Sequence, residues 1–92
     1  MAYPISEWHR QNTTSEPVEY VIGTEIGSPF IAEEIVFFAT QDTYVYFESD
    51  EKPTLIPKEV YFEWYRRTGR LRVQRVSANG ILHIWSEGHT RT

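Results

Sequence analysis

The chain has 92 residues, enough for one hydrophobic core but not for two. It contains no cysteine, which excludes disulfides, thiolate metal ligands and a cysteine nucleophile. Its net charge of −4 at pH 7 disfavours a dedicated nucleic-acid binder, because proteins of that class are usually basic overall. No apolar run approaches the roughly 18 residues that cross a bilayer, so we expect no membrane partner.

The first sixteen residues show neither a helical period nor strand alternation, and they end in a polar run before Pro17. We therefore expect an extended N-terminal arm over residues 1–16 and one β domain over residues 17–92. The arm carries apolar side chains that a purely solvated tail would not need, namely Tyr3, Pro4, Ile5 and Trp8. We expect these side chains to contact a partner protein; the alternative is that they cover an open edge of the domain's own sheet.

From Val18 onward, short apolar runs alternate with turn residues at intervals of about ten, a spacing typical of β-sandwiches and barrels. Strands are predicted over residues 18–22, 35–40, 43–48, 59–66, 70–76 and 81–87. No window has an amphipathic helical stripe. The predicted fold is all-β, a single antiparallel β-sandwich of the jelly-roll-like or Ig-like kind with the extended arm at its N-terminus.

Two turns are expected to close hairpins between consecutive strands. Gln41-Asp42 follows the second predicted strand, and Asn79-Gly80 precedes the last one. Asn-Gly is the strongest short-range hairpin signal, because both central residues of a type I′ turn have positive φ. Residues 49–57, with three charges and two prolines, are expected to form an exposed loop.

Basic residues are concentrated in an Arg-rich hairpin predicted around the turn at Gly69. Five of the nine basic side chains lie there: Arg66, Arg67, Arg70, Arg72 and Arg75. Alternation places Arg70 and Arg72 on one strand face. Such a surface can pair with carboxylates of a protein partner or with phosphates of nucleic acid. The overall charge favours protein, and a solvated surface without a partner is the simpler alternative.

Charge is also divided along the chain. The first 63 residues carry twelve acidic and three basic side chains, a net charge of −9, whereas the last 29 carry one acidic and six basic, a net charge of +5. Opposite charges on two parts of one chain suit head-to-tail contacts between identical subunits. We therefore expect a homo-oligomer.

No catalytic, cofactor or metal site is predicted. His9, His83 and His89 lie in three separate segments without the close spacing of a zinc site. Glu33 and Glu34 are adjacent, so in an extended chain their carboxylates point to opposite faces. The glycines do not form a phosphate-binding loop, and no serine lies in a nucleophile elbow. We expect the chain not to be an enzyme.

The last third of the chain resembles small virion proteins of tailed bacteriophages. The resemblance is carried by Glu59-Val60-Tyr61-Phe62, by Arg70-Leu71-Arg72-Val73 and by Gly80-Ile81-Leu82-His83-Ile84-Trp85-Ser86-Glu87-Gly88. It implies a structural subunit of the virion, assembled in the host cytoplasm, that decorates or cements a capsid or forms part of the head-to-tail apparatus. It also implies that the partners are neighbouring virion subunits. The arginine concentration and the arm are not features of that group.

Two alternatives remain open. One is a phage-encoded inhibitor or regulator that binds a host protein or nucleoprotein through the Arg-rich hairpin. The other is a carbohydrate-binding module that uses Trp64, Trp85 or Tyr61 as a stacking platform. Alternation along strand 59–66 places Trp64 on the same face as Phe62, which predicts packing in the core for Trp64.

Overall fold

The computed structural model describes the backbone of residues 2–91 and the side chains of residues 4–89. Within that range the chain forms eight β-strands: β1 (Ala2–Asn12), β2 (Val18–Val21), β3 (Ala32–Ala39), β4 (Thr43–Phe47), β5 (Thr54–Ile56), β6 (Tyr61–Trp64), β7 (Arg70–Arg75) and β8 (Ile81–Arg91). No helix in this part of the chain is long and apolar enough to cross a membrane.

The strands form two four-stranded sheets that pack face to face. Sheet A has the order β1-β8-β3-β6, and sheet B has the order β2-β7-β4-β5. Neighbouring strands in both sheets run antiparallel. Consecutive strands lie in different sheets except for β4 and β5, which gives the strand order of an eight-stranded jelly roll. The predicted all-β antiparallel sandwich is confirmed, with the jelly-roll order rather than the Ig-like one.

The core lies between the sheets and is filled by the inward positions of alternating strands. Phe37 of sheet A and Phe47 of sheet B are fully buried and meet edge to face, with ring centroids 5.7 Å apart. Trp64 stacks on Phe47 at 3.9 Å, which confirms that Trp64 packs in the core. Each fully buried side chain of this size contributes about 1.5 to 3 kcal/mol to folding. The sheets therefore form a rigid support for their outer faces.

The predicted hairpins are wrong, because the strands on either side of each turn lie in different sheets. β3 and β8 belong to sheet A, whereas β4 and β7 belong to sheet B. Neither Asn79 nor Gly80 has positive φ, so no type I′ turn forms there. A Cβ at position 80 would lie 2.8 Å from Thr40 Oγ1, so a larger residue there would displace that side chain. Alternation identifies strands, but it does not show which strands pair.

The predicted loop over residues 49–57 contains strand β5, which pairs with β4. Ile56 of β5 is fully buried, whereas Leu55 is 47% exposed. A three-residue strand is too short to show alternation. Prolines flank β5 on both sides, as is common for an edge strand.

The segment expected to be an arm is instead the longest paired edge of the sandwich. β1 pairs with β8 from Ala2↔Arg91 to Asn12↔Ile81. The boundary predicted between residues 16 and 17 does not separate an arm from a domain, and the structure shows the alternative in which this segment covers the edge of its own sheet. Alternation was hidden because three inward positions of β1 are polar, Glu7, His9 and Gln11.

Candidate functional site

The outer face of sheet A carries a contiguous group of aromatic side chains, here called the aromatic face. Cross-strand pairing arranges them in two adjacent rows. Trp8, Trp85 and Val36 are direct neighbours in one row, and His83, Phe38 and Tyr61 in the other. Because directly paired residues of antiparallel strands project to the same side, all six side chains lie on one surface.

The rings of the aromatic face contact one another and remain open to solvent. Trp8 and Trp85 have ring centroids 6.4 Å apart and planes 15° apart, and Trp8 lies 5.9 Å from the His83 ring. Phe38 and Tyr61 have centroids 4.9 Å apart. Trp8 is 52% exposed, Tyr61 69% and Trp85 38%. A contiguous exposed patch of large amphipathic rings is typical of a contact surface.

Charged side chains flank the Trp8–Trp85 row with opposite sign on its two sides. Glu34 and Glu87 are direct cross-strand neighbours on one side, where like charges repel. Arg10 pairs in register with His83 on the other side. Among residues 4–89, no ion pair within 4.0 Å involves either carboxylate or Arg10. A shallow depression of about 490 Å³ lies between the two indoles and the two carboxylates.

Of the predicted contact residues on the N-terminal segment, only Trp8 joins the aromatic face. Pro4 is exposed near the N-terminal end of β1, where it pairs with His89 of β8. Ile5 turns inward and packs against the core. The side chain of Tyr3 lies outside the described residues. Pro4 and Trp8 are therefore exposed and Ile5 is not, and the sequence analysis did not anticipate that β8 supplies the neighbours of Trp8.

The segment expected to form an Arg-rich hairpin is not a hairpin, because β6 lies in sheet A and β7 in sheet B. Arg66 Nη2 is 3.0 Å from Asp50 Oδ2, and Arg70 Nε is 3.8 Å from Glu48 Oε2. Arg67 is exposed and has no side-chain hydrogen bond or ion pair among residues 4–89. Exposed ion pairs of this kind contribute little to stability, but they occupy the two arginines.

The remaining two arginines are also engaged within the chain. Arg72 donates to the backbone oxygen of Asp50 at 2.8 Å, and its guanidinium lies 4.7 Å from the centre of the Tyr46 ring. Arg75 donates to Asn79 Oδ1 at 2.8 Å. Arg70 and Arg72 do share the outer face of sheet B, as predicted, but this face is not the one that carries Trp8.

Glu7 fixes β1 to sheet B, in a set of contacts here called the β1 anchor. Its side chain is buried, and its Oε1 accepts hydrogen bonds from the Tyr20 hydroxyl at 2.6 Å and from the Gly23 N–H at 2.8 Å. Its Oε2 accepts from the Glu25 N–H at 3.2 Å. His9 stacks on the Tyr20 ring with centroids 3.6 Å apart. These contacts hold Trp8 in place on the opposite side of the strand.

The β1 anchor makes stability depend on pH through Tyr20. Burial, followed by the hydrogen bond to Glu7, raises the pKa of the Tyr20 hydroxyl well above its ordinary value. The neutral phenol is favoured in the folded state, so its contribution is fully present below about pH 10, the ordinary pKa of tyrosine, and is lost as pH rises further. In denaturant unfolding, Tyr20→Phe should show a shallower loss of stability above about pH 10 than the wild type. An unchanged slope would refute this.

The three histidines do not come together. His83 belongs to the aromatic face, His9 belongs to the β1 anchor, and His89 lies 3.1 Å from Glu33 at the surface. In the described part of the chain, no group of three or more His, Asp or Glu side chains is arranged to hold a metal ion.

Comparisons with protein-family models, with curated proteins and with solved structures find no match to this chain. The jelly-roll order does not assign a function either, because one fold supports many functions.

Proposed function

We propose that the chain is a structural protein without catalytic activity that binds neighbouring protein subunits through the aromatic face. The observation that carries this proposal is the contiguous set of exposed rings formed by Trp8, Trp85 and Tyr61. Tryptophan and tyrosine are enriched at the centres of protein interfaces, because they bury a large area at a low cost in side-chain entropy. β-strands and the β1 anchor hold these rings in fixed positions.

The neighbouring subunits that we propose are those of a virion, in a capsid decoration or cement layer or in the head-to-tail apparatus. The resemblance of residues 59–88 to small tailed-phage virion proteins supports this role. Viral capsid domains also use the eight-stranded jelly roll, which is support by analogy of fold. The proposed contact surface retains Trp8 from the sequence prediction but replaces the arginine cluster with aromatic residues of β3, β6 and β8.

Single substitutions on the aromatic face test this proposal. Trp8→Ala and Trp85→Ala should each weaken attachment by about 2 kcal/mol, or about thirtyfold, the scale of an interface hot spot. The measurement is co-sedimentation of the tagged chain with virus particles from the infected native host. Attachment unaffected by both substitutions, or a chain that associates with no particle, would contradict the proposal.

Leu55→Ala is the matched control for these substitutions. Leu55 is exposed to a similar degree, but it lies on β5 of sheet B. Its loss should leave attachment unchanged. Deletion of residues 1–16 is not a suitable test, because it removes β1 and the buried Glu7 together with Trp8. Circular dichroism of each variant should confirm that the fold is intact.

Carbohydrate binding is the second candidate, favoured by the nearly parallel Trp8 and Trp85 rings beside a depression with two carboxylates. Sugar rings stack on aromatic faces, and carboxylates accept hydrogen bonds from hydroxyl groups. Trp64 is no longer a candidate for this platform because it packs in the core. Binding on a glycan array that is lost in Trp85→Ala would favour this function over attachment to protein.

A further inference from the structure

The side of β1 that faces away from β8, here called the free edge, is a long strand edge with no strand paired to it in the described part of the chain. The other edge strands, β2, β5 and β6, have three or four residues each, whereas β1 has eleven. Proteins protect strand edges from pairing by shortness, bulges and prolines. Between Ile5 and Asn12, β1 has no proline, and its register with β8 is unbroken.

The hydrogen-bond pattern shows which residues of β1 present backbone groups on the free edge. The N–H of Thr13 donates to Gly80 O at 2.9 Å, so the odd-numbered residues of β1 form the hydrogen-bonded pairs with β8. The N–H of Thr40 donates to Ile81 O at 2.9 Å, which gives β8 the same phase from its other side. The even-numbered residues of β1 therefore direct their N–H and C=O groups away from β8.

These outward backbone groups have no partner within the chain. Among residues 4–89, no hydrogen bond involves the backbone N–H or C=O of Ser6, Trp8 or Arg10. Pro4 has the same phase, so the N–H that it lacks would also have pointed to the free edge. The free edge thus offers an alternating row of donors and acceptors, which another β-strand satisfies by backbone pairing.

We propose that the free edge of β1 pairs antiparallel with the free edge of β1 in a second copy of this chain, so that sheet A continues across a twofold axis at Trp8. This inference goes beyond the proposed function, since it uses the edge of β1 rather than the aromatic face. An antiparallel edge is complementary to itself under a twofold axis, because each donor then meets the acceptor of its counterpart.

An axis at Trp8 uses the whole free edge. Trp8 then lies opposite Trp8 of the second copy, Ser6 lies opposite Arg10, and Pro4 lies opposite Asn12. All these residues have the outward phase, so the pairing forms about eight backbone hydrogen bonds. The N–H that Pro4 lacks falls in the last pair at each end, where its loss interrupts nothing.

The side chains agree with this register. The two Trp8 rings form an aromatic cross-strand pair at the axis, a favourable combination. Arg10 passes over the short side chain of Ser6 toward Glu87 of the second copy, whose backbone lies two strand spacings, or about 10 Å, away. An axis at His9 would instead place His9 beside its own copy and separate the two Trp8 rings.

The expected dimer is weak. Contact along one strand edge buries less area than a standard protein interface, so we expect a dissociation constant in the micromolar range or above. Glu34 and Glu63 stay on the open outer face of sheet A, so dimer formation does not bury their charges. The aromatic faces of the two copies become one continuous surface with the Trp8 pair at its centre.

Removal of one outward N–H tests the contact. Ser6→Pro takes away a donor on the free edge but none of the hydrogen bonds to β8, because position 6 has the phase that Pro4 already occupies. In sedimentation equilibrium of the full chain, Ser6→Pro should dimerise at least about tenfold more weakly than the wild type. Ser6→Ala keeps the N–H and should dimerise normally. Circular dichroism should show the same β fold in both variants.

Disulfide cross-linking tests the register independently, because the chain has no cysteine of its own. Ser6→Cys in one copy and Arg10→Cys in the other place Cα atoms about 5.5 Å apart, within the reach of a disulfide. Under mild oxidation, a mixture of the two variants should form a covalent dimer. Each variant alone should not, because its own two copies are about 14 Å apart. Ser6→Cys mixed with Glu51→Cys, on an exposed loop, gives the background.

Three results would overturn the inference: a wild-type chain that is monomeric up to about 1 mM, a folded Ser6→Pro variant that dimerises normally, or cross-linking of the mixture no stronger than the background. Trp85→Ala removes the centre of the aromatic face but no group of the free edge, so the dimer should persist in it. A monomeric Trp85→Ala would move the contact to the aromatic face and also overturn the inference. Particle attachment of the same variant tests the proposed function alone, so the two proposals can fail separately.

Discussion

Replacement of Glu7 by Ala is expected to lower the free energy of unfolding by about 3 to 5 kcal/mol, because it leaves buried donors without an acceptor. The carboxylate of Glu7 accepts from the Tyr20 hydroxyl and from the N–H groups of Gly23 and Glu25. Each donor that loses its partner in a buried position costs about 1 to 3 kcal/mol. For a domain whose total stability is about 5 to 15 kcal/mol, this loss removes a large share.

Equilibrium denaturation in urea measures this effect. Glu7→Gln should lower the free energy of unfolding less than Glu7→Ala does. The amide oxygen of Gln can still accept a hydrogen bond, whereas its NH₂ group would face a donor. Glu19→Ala, an exposed acidic residue on β2, should change stability by no more than about 0.5 kcal/mol. If Glu7→Ala behaved like Glu19→Ala, the β1 anchor would have no energetic role.

Loss of the Glu7 contacts should disturb the aromatic face as much as it lowers the stability of the fold. Glu7 and Trp8 are consecutive on β1, so their side chains project to opposite faces of sheet A. The contacts of Glu7 on the inner face fix the strand that presents Trp8 on the outer face. A weakened anchor should therefore release β1 from sheet B before the rest of the sandwich unfolds, and Trp8 should lose its position next to Trp85.

Much of the fold could be predicted because burial is a local property of each strand. In the predicted strand over residues 81–87, Leu82 and Ile84 alternate with outward residues and are buried. Sheet order could not be predicted in the same way, because it depends on which strands meet after the chain crosses from one sheet to the other. The jelly roll makes every consecutive pair except β4 and β5 cross over, and no short sequence signal indicates that.

The candidate site was predicted only in part. Trp85 and Tyr61, which the sequence analysis names as candidates for a stacking platform, are exposed. The sequence could not show that Trp8 lies on the same face as Trp85 and Tyr61, because polar residues at inward positions hid the strand pattern of β1. One signal for a strand was present: residues 1–22 contain no glycine, which is unusual for a flexible arm.

The Arg-rich hairpin does not form, and part of the charge division along the chain is used within the molecule, whereas partner contact through the arginines stays a prediction. Acidic residues from the first part fold against arginines from the last part, as in the pairs Arg66–Asp50 and Arg70–Glu48. The pattern expected between identical subunits is therefore partly neutralised before any partner arrives. The charges without a partner among the described residues include Arg10 and Glu87, which lie on the aromatic face itself.

Gly23→Ala is expected to destabilise the protein by about 4 kcal/mol, through backbone strain and a steric clash together. Gly23 has φ of +102°, and a Cβ there would lie 2.2 Å from Ser28 O and 2.5 Å from Pro29 Cα. Both are backbone atoms, so a side-chain movement cannot relieve the contact. The displaced turn would also withdraw the Gly23 N–H from Glu7.

Gly27→Ala separates the two causes, because Gly27 also has positive φ, +70°, but a Cβ there would meet nothing within 4 Å. Its cost should be about 1 kcal/mol, from backbone strain alone. Urea denaturation of both variants gives the comparison, and equal losses would show that the close approach at Gly23 does not matter. Because Gly23 donates to Glu7, the losses from Gly23→Ala and Glu7→Ala should sum to more than that of the double variant. Strict additivity would mean that the turn and β1 are stabilised independently, and that the position of Trp8 does not depend on the turn at Gly23.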